Sequence, residues 1–88
     1  MVRVSKSRCP LDTVRKGHSA EVIDLPGTRL ADNELAQRGI RPGARVRVQR
    51  KAPLGGPVMV EIQGSSVAIA RTLAHRIVVA PLQEADDA

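Results

Sequence analysis

Cys9, His18 and His75 are the chain's only thiol and its only two imidazoles. These side chains most readily carry nucleophilic, acid–base or metal chemistry. Nucleophilic catalysis needs a base beside the nucleophile and a third group to orient that base. No Ser/His/Asp or Cys/His arrangement is recognisable. Zinc-type sites want ligands at short fixed spacings, or at i, i+3 or i+4 on one helix, and no Cys/His pair meets that pattern. The phosphate-cradling G-x-x-x-x-G-K-[ST] pattern is missing, so Gly55-Gly56 reads as part of a turn. His75 reads as a polar residue on a short terminal turn. The sequence therefore predicts no catalytic residue, no cofactor and no metal ligand on this chain. It predicts a protein that binds and does not catalyse.

The binding chemistry is basic. Arg45, Arg47, Arg50 and Lys51 lie on or beside one segment, with Arg38 and Arg41 just before it. The first 51 residues hold 12 Lys/Arg against 5 Asp/Glu, and the remaining 37 hold 2 against 4. The net charge of +5 is thus concentrated in one half. Such a half suits an acidic protein surface, nucleic acid or an anionic membrane, or it serves simply as a solvated face. A basic stripe can track phosphates. Single-strand binders usually add aromatic platforms for base stacking, and this chain has no Phe, Tyr or Trp.

The elements that must position these residues are short. Eighty-eight residues make one small domain whose core is built of Val, Ile, Leu and Ala. One cysteine forms no internal disulfide, which fits a reducing compartment. No apolar run approaches the roughly 18 residues that span a bilayer, and the basic start lacks an apolar signal-peptide core. The expected location is the cytoplasm. Residues 1–9, with Arg3, Lys6 and Arg8, read as a flexible basic arm. Residues 83–88, with Glu84, Asp86 and Asp87, read as an acidic tail. The folded part is expected over residues 10–82.

Within it, Ala20, Val22, Ile23 and Leu25 form a strand of imperfect alternation, ended by Pro26-Gly27. Leu30, Ala31, Leu35 and Ala36 recur at helical spacing, with Gly39 placed as a helix terminator. Arg45 to Gln49 alternate strictly, valines inward and polar residues outward. Val58, Val60 and Ile62 repeat the pattern, and Val67 and Ile69 make a third such strand. Residues 71–75 suit a single helical turn. Residues 76–80 form a last strand, with Ile77 and Val79 inward and Pro81 as its end. About five short strands with one small helix after the first predict an all-β unit. Closing so small a sheet removes most of its edge, so an SH3-like barrel is expected, with an OB-fold as the competing topology.

Between two of these strands stands Ala-Pro-Leu-Gly-Gly-Pro, residues 52–57. Pro53 and Pro57 stop strand pairing on either side, and the glycines permit a tight reversal. Leu54 is the odd residue. It either projects from the tip as a contact residue or folds back onto the barrel end.

Three ordered segments carry a resemblance: LAQRGIRPGARVRV at 35–48, RKAPLGGPVMVEIQG at 50–64 and VAIARTLAHRIVV at 67–79. With Gly39, Ile40, Pro42 and Gly43, then Pro53 and Pro57, then Ala68, Ile69, Ala74, Ile77 and Val79, the chain resembles the FeoA family of bacterial ferrous iron uptake. The likeness runs over roughly residues 11–80. It implies an SH3-like barrel and a partner, the FeoB-type membrane transporter, whose cytoplasmic GTP-binding region such proteins bind and modulate. The link to iron would run through that partner. The same module also ends metal-dependent repressors of the DtxR type. The chain departs from the family pattern at Glu34 to Arg38 and at Ala70, where the family carries Arg and this chain has Arg71 next along. Leu35, Arg38, Arg45, Arg47, Pro53, Leu54 and Pro57 are the expected partner-binding residues. A nucleic-acid-binding barrel using Arg45 to Lys51 is the alternative. Exposed edges or the helix leave room for a homo-oligomer.

Overall fold

The structure is a computed structural model that describes residues 2–4 and 7–84. Its strands are β1 (Val2–Val4), β2 (Cys9–Pro10), β3 (Ser19–Asp24), β4 (Arg45–Lys51), β5 (Val58–Ile62), β6 (Ser65–Ile69) and β7 (Val78–Glu84). A 3-10 turn spans Leu11–Thr13, and two helices follow, α1 (Arg29–Gln37) and α2 (Arg71–Arg76). The sheet runs β1-β7-β3-β4-β5-β6, all neighbours antiparallel, with β2 also pairing β7. Its inward side chains meet in one aliphatic core that includes Val22, Val46, Val48, Val58, Val60 and Val79. Leu11 and Val14 close that core from the 3-10 turn, and Ala74 and Ile77 close it from α2 and the residue after it. This is the all-β, SH3-like fold expected from the alternating pattern.

Period-two alternation decides most of this arrangement. On β4 the valines at 46 and 48 are buried and Arg45, Arg47 and Gln49 are exposed. A register shift between Val48 and Arg50 then makes Gln49 the extra residue of a bulge. Arg50 is thereby set opposite Met59, on the outer face, and Lys51 opposite Val58. A second shift, between Val22 and Asp24 on β3, explains why that strand's alternation is imperfect in the sequence.

Helix α1 ends as expected. Gly39, at φ 90°, donates to Ala36 O and Ile40 donates to Leu35 O, the paired bonds of a Schellman motif. Leu35 and Ile40, the residues that flank this turn, are both in the core. Arg41 adds a side-chain bond to Ala36 O at 3.1 Å. Leu30 departs from expectation: it is 83% exposed, because it lies five residues, about 140° around the helix, from Leu35, the buried residue of α1.

The chain ends also differ from the sequence reading. Val2–Val4 pair with residues 82–84 of β7, so part of the expected arm and part of the expected tail are strands bonded to each other. Cys9, also assigned to the arm, is instead in β2, paired with Val79 and packed against the core. Met1, Ser5, Lys6 and residues 85–88 lie outside the described residues. Pro81 does not end the last strand. It sits in β7 where the flanking strand changes from β2 to β1, so no ladder bond on that side needs its missing N–H.

Candidate functional site

The β4–β5 hairpin carries the most exposed large apolar side chain described. Leu54 is 103% exposed, so it projects and does not fold back. Its geometry follows from the turn. Gly56 N donates to Pro53 O at 3.1 Å, and the two central residues, Leu54 and Gly55, have φ of 59° and 74°. Two successive positive φ values make a type I′ turn, which matches the twist of a hairpin. Gly55 takes that conformation without cost, but a leucine there is strained by about 1–2 kcal/mol. Ala52 N donates to Pro57 O at 2.9 Å and closes the loop beneath. A Cβ on Gly56 would lie 2.6 Å from Ala52 Cβ, so glycine is required for closeness there.

Helix α2 fixes this tip. Arg71, its first residue, donates from Nε to Gly56 O at 3.0 Å and from Nη2 to Ala52 O at 2.9 Å. One planar guanidinium thus holds both sides of the loop. In the sequence Arg71 stands out only as the neighbour of an altered position, Ala70. Its reach to carbonyls 15 and 19 residues away leaves no local signal.

The sequence-expected residues fall into three groups. Pro53, Leu54 and Pro57 share the tip and are exposed. A depression beside it is lined by Gly55, Gly56, Pro57, Ala70, Arg71 and Thr72. Ala70 also borders a second hollow, of about 120 Å³, whose lining includes Leu35, Arg38, Ala68 and Leu73. The tip, the start of α2 and the Arg38 end of α1 are therefore neighbours along one side of the molecule. Leu35 itself is corrected: at 4% exposure it belongs to the core and supports this side from beneath. Arg45 and Arg47 belong elsewhere. Arg45 is six residues from Lys51, about 20 Å along an extended strand. Arg45 stands opposite Glu21, and Arg47 opposite Glu61, so each shares its face with a carboxylate.

The groups able to ligate metals are dispersed. His75 Nδ1 lies 3.2 Å from Asp12 Oδ2, an exposed imidazole against a half-buried carboxylate. Lys51 Nζ donates to the carbonyl of the same Asp12 at 2.7 Å. Cys9 is half-buried on β2. Among the described residues no three His, Cys, Asp or Glu side chains group closely enough to hold a metal ion. No described helix is long and apolar enough to cross a membrane.

Comparison with known proteins agrees with this architecture. The family model for the FeoA domain matches residues 9–81. Among curated proteins there is no sequence match. Among solved structures, a crystal structure of the iron uptake regulatory protein FeoA is 28% identical with a TM-score of 0.76, covering 85% of this chain and 97% of that one. The FeoA protein of Chlorobium tepidum is 29% identical with a TM-score of 0.79, covering 89% of this chain and 74% of that one. A manganese-dependent transcriptional repressor shares the fold at 23% identity and a TM-score of 0.75, matched over 41% of its own chain. That family is one of small accessory domains with a role in ferrous iron transport. With the domain model matching nearly all of the folded part, this chain belongs to the FeoA family.

Proposed function

We propose that this protein is a cytoplasmic, non-enzymatic accessory to a ferrous iron transporter of the FeoB type. It binds the transporter's cytoplasmic GTP-binding region and modulates it. The observation that carries the reading is Leu54: a large apolar side chain, fully exposed, in a strained backbone conformation, on a loop held by Arg71 and two prolines. Strain that persists because its surroundings over-determine it is a recurrent mark of binding sites. A rigid anchor also loses little entropy on binding. Leu54 would enter an apolar pocket of the partner. Pro53, Pro57 and the depression beside Ala70 would form the surrounding contact, with Arg38 at its margin.

The competing nucleic-acid reading loses support from the sheet register. Arg45 and Arg47 each have a carboxylate opposite them in the ladder, Glu21 and Glu61, which lowers the local positive potential a phosphate would meet. A calorimetric titration with Leu54→Ser tests the reading. Affinity for the GTP-binding region should fall by about tenfold or more, the loss expected for a central apolar anchor. Unchanged affinity in a folded variant would remove the tip from the interface.

A further inference from the structure

Strand β6 is the last in the sheet order, and no described strand pairs with its outer side. Edges of this kind are usually blunted by lysine, proline or a bulge. The sequence of β6, Ser-Ser-Val-Ala-Ile, has none of these, and its pairing with β5 is regular throughout. The β5–β6 connection is a two-residue turn through Gln63 and Gly64, with φ of 51° and 83°. Such a turn is closed by a bonded pair, here Ile62 and Ser65. Antiparallel pairs then alternate, so Val67 and Ile69 direct their backbone groups at β5, and Ser66 and Ala68 direct theirs outward. Two N–H and two C=O groups thus face away from the sheet, at a two-residue spacing.

What they face is a groove. The C-terminal half of α1 forms its other wall. The wider part is lined by Arg38, Arg41, Ile62, Ser66 and Ala68 among others, with no acidic residue in its lining. The narrower part continues past Val67 and Leu73 toward α2 and has Glu34 in its lining, so the basic stretch is confined to the wider part. Arg41 is fixed there by its bond to Ala36 O.

We propose that this edge is a second docking site, which takes an extended, carboxylate-bearing segment of a partner protein as an added strand on β6. Main-chain bonds to Ser66 and Ala68 would set its register. Alternate side chains would rest against Val67 and Leu73, and its carboxylates would meet Arg38 and Arg41. A second copy of this chain fits less well. Edge-to-edge pairing would bring two sets of Arg38 and Arg41 together on molecules that each carry a net charge of +5. The proposal shares Arg38 with the margin of the Leu54 surface but does not use the tip, and it can hold if that reading fails.

The test uses the full chain and a blocked hexapeptide of alternating valine and threonine with glutamate at one end. Amide hydrogen exchange is followed residue by residue. Saturating peptide should slow exchange at Ser66 and Ala68 by about tenfold or more and leave the already bonded Val67 little changed. Methylating alternate backbone nitrogens of the peptide should abolish the effect without altering the protein. Replacing its glutamate by lysine should weaken binding by about tenfold, the loss expected for charge-assisted contacts. Ala68→Pro should lose the site, and Leu54→Ser should keep it. Exchange unaffected at about 1 mM peptide, the weak end of specific binding, would overturn the proposal, as would indifference to N-methylation or equal binding of the lysine peptide. Protection at Ser66 and Ala68 that rises with protein concentration alone would also overturn it, by assigning the edge to a second copy.

Discussion

Arg71 Nε donates to Gly56 O at 3.0 Å, joining the first residue of α2 to the hairpin that presents Leu54. Its Nη2 makes the second bond, to Ala52 O. A binding loop on so small a domain is therefore fixed from outside its own strands. Arg71→Ala should lower stability by about 1–2 kcal/mol, the net worth of charge-assisted bonds at a half-buried site. Arg71→Lys should recover only part of this, since an ammonium cannot bridge both carbonyls as a planar fork does. Chemical denaturation measures the stability change. Exchange at the Ala52 and Gly56 amides reports whether the loop has loosened.

Leu54 sets stability against binding. Asparagine accepts the positive φ of a type I′ turn far better than leucine does. Leu54→Asn should therefore raise stability by about 1 kcal/mol, the strain relieved. The same variant should bind the partner more weakly. A variant that is neither more stable nor weaker in binding would argue against both the strain and the anchor.

Gly56 has no room for a side chain. Gly56→Ala would place a methyl 2.6 Å from Ala52 Cβ, and the strand ends would have to part. A cost of about 1–3 kcal/mol is expected from such overpacking. Gly55→Ala meets no atom within 4 Å but keeps an unfavourable φ, so its cost should be smaller. Thermal melts of the two variants order them.

Leu35 separates support from contact. Leu35→Ala should cost about 2–4 kcal/mol, as for other buried leucines. Any loss of partner affinity should follow that loss of stability. Denaturation and titration of the same sample show whether the two change together.

Much of the fold was legible because alternation is strict where the sheet has one buried face. Val46, Val48, Val58, Val60 and Ile62 are inward as their spacing requires. Gly39 announced the end of α1 because the left-handed position after a helix favours glycine. The pairing of Val2–Val4 with β7 was not legible, since three residues carry too little pattern to identify a strand and their partner is about 80 residues away. Leu30 is not on the buried face, because five residues carry it about 140° around the helix from Leu35. At the candidate site, the two prolines and the glycines identified the loop. They left the position of Leu54 open, because its positive φ runs against leucine's own preference. Arg71 was beyond reach for a different reason: its partners are main-chain carbonyls, which every residue has.

The most direct measurement is a calorimetric titration of the full chain into the cytoplasmic GTP-binding region of its cognate transporter, with and without a GTP analogue, in about 0.3 M salt, where surface charge is largely screened. The expected result is saturable binding that depends on the nucleotide state and falls by about tenfold or more with Leu54→Ser. No binding in either state, or binding that Leu54→Ser leaves untouched, would contradict the role proposed for this tip.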